Sequence, residues 1–174
     1  MLIAVVSDTH GYVTSAEEVL RRFRPELLFF LGDFYADGEK LLSKLEIPGY
    51  LVAGNGDRSS RYPQKDILIT IAGVRFFLTH GHNLGVKQGM TRLEAESSKN
   101  LAQVTLFGHT HCCYLRQHEG CWLMNPGSAS EPRDLNDPSV GLIDIGADQV
   151  KFSIISVADQ SLIDSNVWRL EHNG

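Results

Sequence analysis

Asp8 and His10 stand two residues apart in Ser7-Asp8-Thr9-His10-Gly11, directly after the apolar run Leu2–Val6. That run is short enough to be a strand buried on both faces, and open α/β sheets hold ligands at the carboxyl ends of such strands. Alone, the pair is weak evidence, because an isolated Asp here more often caps the turn into a helix. The pattern then repeats. Phe29-Phe30-Leu31 stops at Gly32-Asp33, and Tyr50-Leu51-Val52-Ala53 stops at Gly54-Asn55-Gly56-Asp57. Phe76-Phe77-Leu78-Thr79 stops at His80-Gly81-His82, and Val104-Thr105-Leu106-Phe107 at Gly108-His109-Thr110-His111. Five successive strand ends therefore deliver carboxylate, amide or imidazole groups, the donor set of a divalent transition-metal site.

The elements that must position these groups follow from periodicity. Thr14-Ser15-Ala16-Glu17 has capping-box form, and Ala16, Val19, Leu20 and Phe23 mark one face of a helix ending near Arg24, before Pro25. Leu27–Leu31 reads as a second buried strand, Asp37–Leu45 as a second helix, and Gly49–Ala53 as a third strand. This β-α-β-α-β order implies a parallel sheet. A polar loop spans 55–65. Hairpins are expected over Asp66–Ile71 and Val74–Thr79, over Cys113–His118 and Cys121–Asn125, and over Val140–Ile145 and Val150–Ser156. A weaker helix is expected from Gly85 to about Lys99, and a buried strand at Val104–Phe107. The pattern fades from Ala158 onward. The strands are too many for one small sheet, and two sheets packed face to face with helices outside accommodate them.

The 174 residues fit a single domain, 1–174, able to bury a real core. Composition is that of an ordinary globule, 43% hydrophobic and 21% charged. No apolar run approaches the ~20 residues of a membrane span, and Leu2–Val6 is too short for a secretory signal, so a cytoplasmic protein is expected. A net charge of -5 lacks the basic footprint of a protein that grips long nucleic acid. Cys112, Cys113 and Cys121 have no metal-binding spacing and read as reduced core thiols. Of seven histidines, five fall in the strand-end motifs; His118 and His172 read as solvated.

The ordered series Asp-x-His, Gly-Asp, Gly-Asn, His and Gly-His-Thr-His resembles the calcineurin-like metallophosphoesterase superfamily. Asn125-Pro126-Gly127-Ser128 and Pro132-Arg133 add a likeness to its small, prokaryote-type phosphodiesterase branch. The resemblance implies a four-layer α/β/β/α sandwich of two mixed sheets flanked by helices. It also implies a metal-dependent hydrolase of small phosphate esters, with two divalent cations per chain. By the family pattern Asp8, His10 and His111 hold the first metal, Asn55, His80 and His109 the second, and Asp33 bridges. A hydroxide held between the metals would then attack phosphorus in line. Mn²⁺ is favoured by resemblance, and Ni, Zn, Fe and Co suit the same ligands.

Beyond the metal ligands Asp8, His10, Asp33, Asn55, His80, His109 and His111, the candidate catalytic residues are Asp33, Asn55 and His82. His82 reads as a hydrogen-bonded support or as a proton donor. Arg58 and Asn55 are candidate substrate contacts, Arg133 a weaker one, and Phe34 and Tyr35 could flank a base or aryl leaving group. One departure matters: many superfamily phosphatases carry Gly-Asn-His-Asp/Glu, and Gly56 stands at the histidine position. Without that general acid, aryl phosphodiesters should be better substrates than alkyl monoesters. The expected partner is a small phosphate ester, with neither long nucleic acid nor membrane, and the oligomeric state is open to a homo-oligomer. Two other readings are a nuclease and a non-catalytic scaffold of the kind found as the small metallophosphoesterase-like subunit of the retromer coat. Such scaffolds degrade their ligands, whereas every expected ligand position here is filled.

Overall fold

The computed structural model describes residues 1–57 and 66–170. The strands are β1 (Leu2–Val6), β2 (Leu27–Phe30), β3 (Gly49–Leu51), β4 (Asp66–Ile71), β5 (Val74–Thr79), β6 (Val104–Leu106), β7 (Cys113–His118), β8 (Cys121–Pro126), β9 (Ser139–Ile145), β10 (Gln149–Ser156) and β11 (Leu162–Arg169). The helices are α1 (Thr14–Phe23), α2 (Tyr35–Leu45) and α3 (Thr91–Lys99). One sheet has the order β11-β10-β9-β1-β2-β3 and the other β4-β5-β6-β8-β7. Both are mixed. β1, β2 and β3 run parallel, as do β5, β6 and β8, and antiparallel strands complete each sheet.

Side-chain alternation explains the layers. Ile3 and Val5 of β1 point between the sheets with Phe29, Phe76, Leu78, Val104 and Phe152. Ala4 and Val6 point the other way, onto Ala16, Val19 and Leu20 of α1 and Leu41 of α2. Phe77 and Leu123 on the outer face of the second sheet pack on Leu93 of α3. Each central strand is thus covered on both faces, which is why it reads as a continuous apolar run. Phe29 and Phe76 meet edge-to-face across the sheets, 5.3 Å between centroids.

Several expectations are corrected. Thr14 is not an N-cap: Val13 holds that place without a side-chain cap, and Glu17 turns instead to Arg21 and Lys44. α2 begins at Tyr35 rather than Asp37, whose carboxylate faces the β1–α1 loop instead. The helix expected from Gly85 starts only at Thr91. Gly85 at φ +67° and Gly89 at φ +151° leave the helical region, and only His82–Leu84 form a short 3₁₀ turn before them. The tail continues as β11, paired antiparallel to β10. The proposed contact Arg58, part of the 55–65 loop and His172 lie outside the described residues. His118 is exposed, as expected, with a Glu94 carboxylate oxygen 3.5 Å from its ring. All three cysteines are free.

Candidate metal centre

The loops that follow β1, β2, β3, β5 and β6 meet at one end of the sandwich, where Asp8, Asp33, His80 and His111 each have one end fastened by a hydrogen bond and the other facing a second donor-type group. Asp8 is buried. Its Oδ2 accepts from the Ser7 hydroxyl at 2.6 Å and from the His109 N–H at 2.9 Å, while Oδ1 faces His111 Nε2 at 3.3 Å. Asp33 Oδ1 accepts from the Gly56 N–H at 3.0 Å, and Oδ2 faces His10 Nδ1 at 3.5 Å.

Two of the imidazoles are arranged alike. His111 Nδ1 donates to the Glu131 carbonyl at 2.7 Å, and His80 Nδ1 to the Leu31 carbonyl at 2.6 Å. A carbonyl only accepts, so each ring carries its proton on Nδ1 and presents a lone pair at Nε2. His111 Nε2 lies 3.2 Å from His10 Nε2, and ligand atoms of Asp8, His10 and His111 all fall within 4.8 Å of one another. On the other side, His80 Nε2 stands 3.0 Å from Asn55 Oδ1. With the amide oriented this way, both atoms are acceptors, and two acceptors at that separation suit a shared cation. His109 and His82 close this side, their ring centroids 5.0 and 5.2 Å from that of His80.

Burial tunes these groups. It pushes the Asp8 carboxyl up to about 7, against the lowering effect of the Ser7 and His109 hydrogen bonds. It holds His80 down to about 3 and His109 to about 4, and lowers His111 as well. His80, His109 and His111 are therefore neutral lone-pair donors at physiological pH. A buried carboxylate that resists ionisation gains most from a nearby cation. Among the described residues the donor set fits a cation at Asp8, His10 and His111, and His80 Nε2 and Asn55 Oδ1 form a further pair of facing acceptors.

The backbone is held in uncommon conformations at these residues. Asp8, His10, His109 and His111 have φ of +53°, +46°, +68° and +61°. Such residues cluster at sites where the surroundings over-determine the geometry. Here the surroundings are polar anchors that no spacing in the sequence announces. Asp37 Oδ2 accepts from the Thr9 hydroxyl at 2.6 Å and from the Gly11 N–H at 2.7 Å, gripping the loop that carries His10. Asp57 accepts from the N–H groups of Tyr35 and Gly54, both at 2.9 Å, tying the Asn55 loop to the start of α2. Asn125 Nδ2 donates to the Gly108 carbonyl at 2.9 Å and the Thr110 hydroxyl at 3.0 Å, and Ser128 Oγ donates to the Asp8 carbonyl at 2.7 Å. The Asn125–Ser128 segment is thus the brace under both His-bearing and Asp-bearing loops, more than a plain turn. Gly108 is required for space: a Cβ there would lie 1.9 Å from Ser7 Oγ and 2.9 Å from Asp8 Oδ2.

Known proteins are similar to this chain in sequence and in fold. A calcineurin-like phosphoesterase superfamily domain matches residues 1–148. A probable metallophosphoesterase of Methanothermobacter thermautotrophicus is 35% identical over 164 residues, covering 89% of this chain and 92% of that protein. The phosphodiesterase YfcE of Escherichia coli is 29% identical over 187 aligned positions, covering 94% and 96%. Among solved structures, Vps29 of Entamoeba histolytica complexed with Zn²⁺ superposes with a TM-score of 0.80 over 97% of this chain and 99% of that one. At 20% identity that likeness shows the fold alone. With strand-end donors, a two-sheet sandwich and these relatives together, the chain belongs to the calcineurin-like phosphoesterase superfamily, in its small, prokaryote-type metallophosphoesterase branch.

Proposed function

We propose that this metallophosphoesterase hydrolyses small phosphodiesters at a dinuclear centre built by Asp8, His10 and His111 on one side and Asn55, His80 and His109 on the other, with Asp33 between. Two divalent cations held there would supply Lewis acidity and an activated water for phosphoryl transfer. The observation that carries the reading is the pair of imidazoles locked as Nδ1–H tautomers by Leu31 and Glu131, each aiming a bare Nε2 at a second acceptor.

The chain's own residues do the rest. Asp33, fixed by the Gly56 N–H, holds negative charge between the two clusters and so sets their spacing. Asn55 is the exposed member of the donor set and meets the substrate phosphate first. His82, next to His80 and His109, is the imidazole outside the ligand set and serves as the proton donor or a substrate contact. Arg133, whose N–H donates to the His111 carbonyl at 2.9 Å, lies at the rim where an anionic ester arrives.

Residues 1–174 act as one cytoplasmic domain in this reading, and Mn²⁺ is the favoured metal. No helix among the described residues is long and apolar enough to cross a membrane. The complete donor set counts against a non-catalytic scaffold, and the net charge of -5 against a nuclease for long polymers. The test is to strip the protein, reload it singly with Mn, Ni, Zn, Fe or Mg, and assay mono- and diesters. Stripping should abolish hydrolysis and Mn²⁺ or a similar ion restore it. Full turnover by protein that elemental analysis finds metal-free would refute the dinuclear reading.

A further inference from the structure

Phe34 directly follows Asp33, yet its ring belongs to none of the three apolar clusters formed by the described residues. It is 38% exposed, an unusual place for a large apolar side chain beside a cleft of charged and polar donors. One side of the ring meets His10 edge-on, 6.0 Å between centroids at 85°. Another side lies on Gly56, where an added Cβ would come within 2.5 Å of Phe34 Cε1 and 2.9 Å of Cδ1. Gly56 is the neighbour of Asn55, so the ring spans the gap between His10 and the Asn55 loop. Asp33 spans that same gap, its two oxygens on Gly56 N–H and toward His10. The glycine makes room for the ring, and the ring fills the volume that any side chain at position 56 would need.

We propose that Phe34 is a specificity-determining residue: its exposed face is the wall against which a flat aromatic leaving group of a phosphodiester lies. The assignment rests on the phosphodiesterase reading above and adds the class of leaving group to it. An aromatic ring gains face or edge contact from Phe34, and the apolar area that Phe34 now exposes is removed from water. A small alkyl leaving group gains less of either. The chemistry agrees with the wall. Water adds to phosphorus, the P–O bond to the leaving group breaks, and the aryloxide departs with the electron pair. The water's proton passes to solvent, so the leaving oxygen requires none from position 56.

The test separates ring recognition from leaving-group acidity. Methyl phenyl phosphate and methyl hexafluoroisopropyl phosphate have leaving groups of similar acidity, one flat and aromatic and the other not. The metal-loaded wild-type protein should favour the phenyl ester in kcat/KM. Phe34→Ala and Phe34→Leu should each lower that preference by about 2- to 12-fold, the size of one aromatic pair, mainly through KM. Phe34→Trp should keep it. Calorimetric binding of phenylphosphonate, relative to methylphosphonate, should weaken in the same two variants with metal content unchanged. A preference that survives in both Phe34→Ala and Phe34→Leu overturns the assignment while leaving the phosphodiesterase reading intact. If the wild-type protein turns over neither ester with any of the five metals, the functional reading itself fails and the assignment falls with it.

Discussion

At the scale of single residues, Asp33 and Asp57 are both carboxylates near the cleft with backbone N–H partners, yet they face different ways. Asp33 sends one oxygen toward His10, whereas both Asp57 oxygens are used by the chain, on Tyr35 and Gly54. Asp33→Asn removes the charge that would hold two cations together, and kcat should fall on the order of 10²-fold or more. Asp57→Asn keeps an acceptor oxygen for the backbone and should cost far less. Parallel kcat measurements on the two variants decide whether the assignment is right, since equal losses would put Asp33 on the same footing as a loop anchor. Position 56 gives a second prediction. Restoring a histidine there would supply the missing general acid only if the ring finds space, and Phe34 and Asp33 Oδ1, 3.0 Å from a Cβ at that position, deny it. Gly56→His alone should therefore lose activity on aryl diesters without gaining alkyl monoesterase activity. Combined with Phe34→Ala it should gain monoesterase activity over the single variant, which a rate comparison on both substrate types would show.

At the scale of elements, the site is a set of strand-end loops gripped by neighbours distant in sequence. Asp37, in the first turn of α2, holds the β1–α1 loop through Thr9 and Gly11. Asp37→Ala leaves a buried hydroxyl and an N–H without that acceptor, a stability cost of about 1–3 kcal/mol. It should also weaken metal affinity by about 10- to 100-fold, as loss of a ligand's support does elsewhere. Asp37→Asn should fall between. Chelator competition measures the affinity, and an unchanged dissociation constant in Asp37→Ala would show that His10 needs no such grip. The same contrast explains what could be read from the chain. β1 and β2 were legible because burial on both faces removes polar residues from them. The donors were legible because each sits where such a run stops. Asp37 and Asp57 were not, because their long-range bonds, from the Gly11 N–H to Asp37 and from the Tyr35 N–H to Asp57, join residues more than 20 positions apart and leave no periodic trace. β11 was illegible for another reason: it is an edge strand whose exposure follows no alternation, eight residues of mixed burial held by β10. The break before α3 lay in Gly85 and Gly89, whose backbone angles the helical pattern of Leu93 could not reveal.

At the scale of the whole molecule, the three apolar clusters lie within the layers and the donor cleft lies at their end. Stripping metal should therefore leave the fold standing and expose the titration of the cleft as a stability profile. His80 and His109 have folded pKa values of about 3 and about 4 against an ordinary 6.5, because burial disfavours their charged forms. Across that window the unfolded chain binds more protons than the native one, so these histidines make stability rise with pH and be lost as pH falls below 6.5. His111 is lowered by burial too and acts in the same direction. Asp8 has the opposite sign: burial raises it from 3.8 to about 7, so the native state holds the extra proton and stability falls as pH rises through that interval. Below pH 6.5 the histidines outnumber the single aspartate, and above it the last protons leaving the unfolded histidines nearly offset the one leaving native Asp8. The stripped protein should then show a Tm that rises from pH 4 to about pH 7 and stays nearly flat to about pH 8. Saturating Mn²⁺ should turn that plateau into a rise, because a cation binds the ionised carboxylate and neutral imidazoles and the protons competing for them are fewer at higher pH. Thermal melts of stripped and loaded protein from pH 4 to pH 9 carry the comparison. A stripped protein whose Tm climbs steadily through pH 8 would mean that Asp8 ionises freely in the empty fold, and that the cleft does not store the carboxylate strain a cation would relieve.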